Sequence, residues 1–505
     1  MQNFTERHST KIKGVISCFD RIVLTGTIPG ICYAQGMSSF LTEKGIRIFD
    51  FTQWAEPLRQ AIRANAEKVA GDNDLEIEFI RKKNFRKEDR INDIIKQRGT
   101  HPGLVHIYSA MEACTAYKPW HNKKTHKTYL KTVPGKCLHY YFYFINAKLG
   151  LCYLRVPTWA PFRMQFYCNG HNLLVSALNK KKIVFQLLDN VFVQIEDFDK
   201  AQKIADDINV KSLHRRLDNI VRQYCPIVLH FVNKYHWSFM QVEYATDIIF
   251  KKKNDLKSIY DEIVRTAIHS VKPENIATFL GRKLHGGYQD EMGNNFNTRI
   301  EGTCIKHRMG KVAVKMYDKF GIVLRVETVA NDVSFFKHHR RVEHRDGTWE
   351  MKNAPLKKSI YSMPLLVELM KASNRRYIEF ISAIDDPSGG IKDLNKISRS
   401  VKDGDRSCRG FNLFDGDDLE LFSTIIRGEF NISGFSNKAL RKIIKDKKGH
   451  QVSRLLKRLR KHGLIKKIAN TYKYYLTALG RRVTATALKL REMYIIPSLR
   501  GMLVR

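Results

Sequence analysis

Acidic residues are the first thing in short supply: the 505-residue chain carries 50 Asp and Glu against 88 Lys and Arg, a formal net charge of +38. Solubility needs far less, so the excess implies a polyanionic partner. Long apolar runs are missing as well. The longest aromatic-apolar stretch, 140–145, falls far short of the roughly 20 residues a bilayer span requires. Residues 1–14 are polar and charged with no apolar segment, so no secretory signal is read there, and a cytoplasmic chain without a membrane partner is expected. Paired cysteines are lacking: the nine, at 18, 32, 114, 137, 152, 168, 225, 304 and 408, stand singly, with no C-x-x-C and no histidine at zinc-finger spacing. That argues against a structural zinc site and for reduced thiols serving as small core residues. Internal repeats and low-complexity tracts are absent too.

What is present suffices for several cores. Hydrophobic residues make up 43% and aromatics 11% of the chain, and at about 150 residues per domain the length suggests roughly three domains. Patterning predicts strands over 15–26 and 76–80, helices over 54–70 and 87–98, and an apolar segment at 104–108. A hairpin is expected from 138–145 and 151–156 around the polar turn 146–150, and largely helical structure over 199–224 and 245–280. The polar, Gly- and Ser-rich stretch after 385 reads as a linker. The expected division is an α/β region over 1–135, a mixed core over 136–384, a linker over 385–415 and a C-terminal domain over 416–505.

Charge concentrates at the C-terminal end, where 436–505 holds 20 Lys and Arg against Asp446 and Glu492, a net +18 in 70 residues. Three short helices are predicted there. The first, 417–427, buries Leu419, Phe422, Ile425 and Ile426, and the second starts at the N-cap Ser436. The third, 451–462, sets Val452, Leu455, Leu456 and Leu459 on one face and Arg454, Lys457, Arg458 and Lys461 on the other, and ends at Gly463. Two short strands, 464–468 and 472–476, follow around the turn 469–471. This segment, 451–465 closing with 476–481, resembles the MarR-type winged-helix family over some 60 to 70 residues. The resemblance implies that Gln451, Ser453, Arg454 and Lys457 approach base edges and phosphates, while Lys466, Lys467 and Lys473 follow the DNA backbone. The expected fold class is therefore α+β, a mixed α/β core joined to a C-terminal winged-helix domain. Most of the chain lies outside the resemblance, which does not fit a simple repressor.

In the core, 312–329 alternates with period two. A three-residue loop 319–321, with Gly321 left-handed, would set Val312, Val314, Met316, Ile322, Leu324 and Val326 on one face and Lys315, Tyr317, Arg325 and Glu327 on the other, with Asp318 at the turn. The segments 314–319 and 324–327 resemble a hairpin of rolling-circle replication initiators. That resemblance implies Tyr317 as nucleophile or phosphate contact, Glu327 and Asp318 as metal or orienting groups, with Mg2+ or Mn2+ the metal of a catalytic site, and Arg325 as a phosphate ligand; Lys315 on the same face is a further nucleic-acid-binding candidate. Asp20, at the end of an apolar strand, could join the metal. The expected His-hydrophobic-His motif is absent, and a polar face satisfied by its own salt bridges is the alternative. Other candidates are the basic, His-rich loop 337–345, which could bind phosphates or act in proton transfer, and aromatics beside cations at 117–121, at Arg155 with Trp159, and at Arg163 with Phe166 and Tyr167, which could stack bases. Three functional readings stand: a nucleic-acid-binding protein, DNA foremost; a metal-dependent endonuclease of replication-initiator or transposase type; and an RNA-binding component of a ribonucleoprotein.

Overall fold

The structure, a computed structural model, describes residues 2–81, 84–231, 234–284, 292–299, 302–344, 346–384, 397–404, 406–412, 414–444, 447–469 and 471–496. Segments rich in β-branched and aromatic residues form the strands β1 (Ile12–Thr27), β2 (Ile77–Phe79), β3 (Gly103–Asn122), β4 (Lys127–Asn146), β5 (Gly150–Pro157) and β6 (Met164–Asn169). After the small hairpin β7 (Phe185–Leu188) and β8 (Val191–Ile195) come β9 (His236–Phe250), β10 (Met292–Arg299), β11 (Gly302–Met309), β12 (Val312–Lys319) and β13 (Val323–Ala330). Eleven of these make one sheet in the order β10-β11-β12-β13-β9-β1-β6-β5-β4-β3-β2, antiparallel throughout except at β2–β3. The fold is thus mixed α+β around a large sheet.

Two expectations are corrected here. The division at 135/136 falls inside β4, where Gly135 and Lys136 pair with Cys114 and Ala113, so both expected regions share the sheet. Residues 245–250 are strand, not helix: β9 runs to Phe250 between β1 and β13, and the helices Lys253–Ser270 and Pro273–Phe279 begin only after it. Apolar residues buried on both faces of a central strand lose the period-two signal, which is why this segment imitates a buried helix.

The centre of the sheet is covered unequally. On one face, Asn374 of the helix Met363–Ile384 donates to Tyr244 O and Thr246 Oγ1 and accepts from Thr328 Oγ1, tying that helix to β9 and β13. On the other face, Ile16, Cys18, Ile249 and Val323 pack against Leu174 and Leu178 of the helix Gly170–Lys180, Ala201 of the helix Phe198–Asp206, and Val191 and Phe192 of the small hairpin. A Cβ on Gly170 would lie 2.2 Å from Phe19 O, so only glycine lets that helix start against β1. This second layer is small. Further along the same face, polar side chains take over where it stops.

The β12–β13 loop is Phe320-Gly321-Ile322, with φ of +58° and +71° at Phe320 and Gly321 and with Lys319 paired to Val323. The register is therefore slipped by two residues from the expected one, and because the slip is even, the paired strand residues keep their faces, while Ile322 moves into the loop and packs with Val323 and Ile249. The segment expected as a basic loop instead forms β14 (Lys337–Glu343), paired with β15 (Trp349–Pro355), while Arg345 lies outside the described residues.

The C-terminal part has its own core. It contains β16 (Val401–Asp403), β17 (Arg406–Cys408), the helices Gly416–Ile425, Gly428–Ser433, Asn437–Arg441 and Gly449–Lys461, the hairpin β18 (Ile465–Lys467) and β19 (Tyr474–Leu476), and the helix Ala478–Lys489. Ser436 Oγ caps Asn437–Arg441 by accepting from Ala439 N, and Gly463 closes Gly449–Lys461 with φ of +70°. Ile397 and Phe411 are buried with Phe422, Ile444, Val452 and Leu459, so the described part of 397–411 belongs to this unit and is not linker. Residues 385–396 of the expected linker, and Asn470 of the expected turn, lie outside the described residues. Among the described residues no helix is long and apolar enough to cross a membrane.

Candidate functional site

Chemistry gathers in two places, and the first is the helix Gly449–Lys461. Val452, Leu456 and Leu459 bury one side of it against the C-terminal core, and the opposite side turns Ser453, Arg454, Lys457, Arg460 and Lys461 outward. Gln451 Oε1 accepts from Lys448 N at 2.6 Å and Ser453 Oγ accepts from Asn437 Nδ2 at 2.9 Å, so both candidates also hold the helix start. Lys457 and Lys461 extend to Asp403, 2.6 and 2.5 Å away, and those two lysines hold the Asp403 carboxyl down at about 2. Arg454 is exposed and has no ion pair among the described residues. Beside the helix, Lys466, Lys467 and Lys473 are exposed on β18–β19 around Tyr472, which is 87% exposed with Lys467 Nζ 5.7 Å from its ring.

Arg458 corrects one expectation. It is 8% exposed, forms a two-point pair with Asp418, donates to Arg409 O and Gly410 O, and lies 3.8 Å over Phe411. It braces the unit and faces no partner. In sequence its place beside Lys457 and Lys461 hid this, because helical spacing cannot tell a flank from a face one residue away.

The second place is the polar edge on the sheet. Arg325 is fully buried on β13 and forms a two-point pair with Asp247 of β9, Nε to Oδ1 at 2.6 Å and Nη2 to Oδ2 at 2.8 Å. Its Nη2 also donates to Asn190 O, with His171 Nε2 3.2 Å away. Asp20 receives Asn190 Nδ2 at 2.9 Å and lies 3.1 Å from His171 Nδ1 and 3.6 Å from Arg325 Nη1. Burial works against its charge, but His171 and Arg325 outweigh that and hold the Asp20 carboxyl well below the usual range.

Asp20 reaches this place through a bulge. Phe19 pairs with Tyr244 and Arg21 with Glu243, leaving Asp20 as an extra residue in β1. Such an insertion re-aims a side chain, and here it sets Asp20 beside Glu243 of β9 and Glu327 of β13. One oxygen from each of the three lies within 4.8 Å of the others. Glu327 is 1% exposed; its Oε2 accepts from Tyr317 Oη at 3.0 Å and its Oε1 has no hydrogen-bond donor. Burial, and then Glu243 beside it, push the Glu327 carboxyl up to about 8. Lys315 Nζ lies 3.7 Å from both Glu243 and Glu327.

The structure brings Asp20, Glu327, Tyr317, Lys315 and Arg325 together and leaves Asp318 out. On the opposite face of β12, Asp318 Oδ1 accepts from Gly321 N at 2.9 Å and its own N–H donates to Tyr260 Oη, which makes it a turn residue and not a metal ligand. Arg325 is no phosphate ligand, since Asp247 and Asn190 enclose it. Tyr317 is 8% exposed, and burial followed by the charge of Glu327 pushes its phenol well above the ordinary value, so neither access nor ionisation suits a nucleophile. Glu243, Asp247, His171 and Asn190 were missed. They come from three segments, Glu243 and Asp247 from β9, His171 from the helix Gly170–Lys180 and Asn190 from the β7–β8 turn, which meet only in the folded chain.

The same sheet face continues over β6 and β5. Tyr153 and Tyr167 stack with centroids 5.2 Å apart at 14°, and the exposed Arg21 lies 5.7 Å from the Tyr167 ring. The cation beside Tyr167 is thus Arg21 and not the expected Arg163, which donates to Cys32 O, and Trp159 packs against Phe51. Comparisons with protein-family models, with curated proteins and with solved structures give no match.

Proposed function

We propose that this chain binds nucleic acid, duplex DNA foremost, through the helix Gly449–Lys461 and the lysine-bearing hairpin β18–β19, used as the recognition helix and wing of a winged-helix domain. The observation that carries the reading is the division of that one helix: Val452, Leu456 and Leu459 fasten it, while Arg454, Lys457, Arg460 and Lys461 face outward. A helix of this kind fits the major groove, where arginine and lysine read guanine edges. The hairpin beside it offers three lysines for phosphates and an exposed tyrosine for sugar or base contact. A net +18 over 436–505 supplies the long-range attraction that salt screens.

Fluorescence anisotropy with labelled duplex DNA, single-stranded DNA and duplex RNA of one length tests this. The reading expects duplex DNA to bind tightest at equal salt. RNA binding tighter than DNA would favour a ribonucleoprotein component, because the narrow major groove of A-form RNA does not admit such a helix.

A further inference from the structure

We propose that Asp20, Glu243 and Glu327 form a binding site for a hard divalent cation, Mg2+ or Mn2+, on the open side of the central sheet. Three adjacent strands supply one carboxylate each, and the bulge at Asp20 turns the third of them toward the other two. Ligand oxygens that all lie within 4.8 Å of one another need only small side-chain movements to meet on one hard cation. All-oxygen donors select Mg2+ or Mn2+ over the softer metals, and His171 is not needed as a ligand.

One further observation points to a missing cation: Glu327 Oε1, on a side chain 1% exposed, is buried with no donor. A buried carboxylate oxygen left without a partner costs about 1–3 kcal/mol or more, and a cation removes that cost. The surrounding positive charge does not already do so. Arg325 is committed to Asp247, and Lys315, at 3.7 Å from both glutamates, is a single charge between two carboxylates.

The site is reachable. Asp20, Glu243 and Lys315 have side chains 13%, 12% and 22% exposed, and beyond them lies the face of Arg21, Tyr167 and Tyr153. A cation held from the protein side keeps coordination positions toward that opening, where an anionic oxygen such as that of a phosphate ester enters. The cation site stands independently of the DNA-binding reading.

The probe is Mn2+ alone, titrated into the full chain by calorimetry and by electron paramagnetic resonance of free Mn2+. Expected is one site, weakened tenfold or more in Glu243→Gln and in Glu327→Gln and unchanged in Asp318→Asn. In the wild type, Fe2+ with ascorbate and peroxide should cut the backbone next to Asp20, Glu243 and Glu327, which locates the metal even if a variant fails to fold. No Mn2+ uptake by the folded wild type at millimolar metal, uptake that both glutamine variants retain, or cleavage confined to other segments would overturn the site. Glu243 and Glu327 would then simply share a proton.

Discussion

Arg458 and Asp418 meet in a buried two-point ion pair, Nη1 to Oδ1 at 2.6 Å and Nη2 to Oδ2 at 2.8 Å, which locks the cation-bearing helix to the first helix of the C-terminal unit. Breaking one member of such a pair leaves an uncompensated buried charge and costs about 3–5 kcal/mol. Arg458→Ala should therefore lower the stability of the unit by that amount, measured by urea unfolding, whereas the neighbouring exposed Arg454→Ala should change it by less than about 0.5 kcal/mol. Equal effects of the two substitutions would remove the distinction between bracing and outward-facing cations.

Asp403 restrains the same helix differently, by engaging Lys457 and Lys461. Asp403→Ala should free both lysines and remove one repulsive charge, tightening binding to duplex DNA by about three- to tenfold at low salt and steepening its salt dependence. An affinity that falls instead would mean that Asp403 holds the lysines in their binding positions.

Acid should unfold the core through its buried histidines. His307, with Nδ1 2.7 Å from Asn294 Oδ1 and Nε2 3.0 Å from Tyr377 Oη, is satisfied as a neutral ring, and burial pulls its pKa down to about 3; His139 is likewise lowered to about 4 by burial and then by the nearby Arg155. A folded pKa below the unfolded one means that the unfolded chain binds the proton first. The stability from each neutral ring is therefore complete above about pH 6.5 and is lost as pH falls toward the folded value. For His307 the loss by pH 4.5 is on the order of 3 kcal/mol. Urea midpoints at pH 7 and 4.5 check this: His307→Gln should be less stable at pH 7 and lose less on acidification. A variant that loses as much as the wild type would exclude His307 as the source.

The sequence carried local patterns well and long-range meetings poorly. Val452, Leu456 and Leu459 announce their helix because its period is local, and the turn residue Gly321 announces its hairpin. Asp20, Tyr317 and Glu327 were singled out because a polar residue on an apolar strand stands out by itself. Glu243 and Asp247 did not, because β9 is buried along most of its length, with its end from 245 on reading as helix, and because their partners lie on other strands far along the chain. Arg458 misled for the opposite reason. Its partner Asp418 lies on another helix, and a cation among cations carries no sign that it is turned inward.

Duplex-DNA affinity across a salt series, for the wild type and for Arg454→Ala with Lys457→Ala, tests the proposed role of the outward-facing cations of Gly449–Lys461. If these side chains bind DNA, log affinity falls linearly and steeply with log salt in the wild type, and the double variant loses roughly 2 kcal/mol or more with its fold intact. A folded double variant that binds as tightly as the wild type, or a wild-type affinity indifferent to salt, would contradict it.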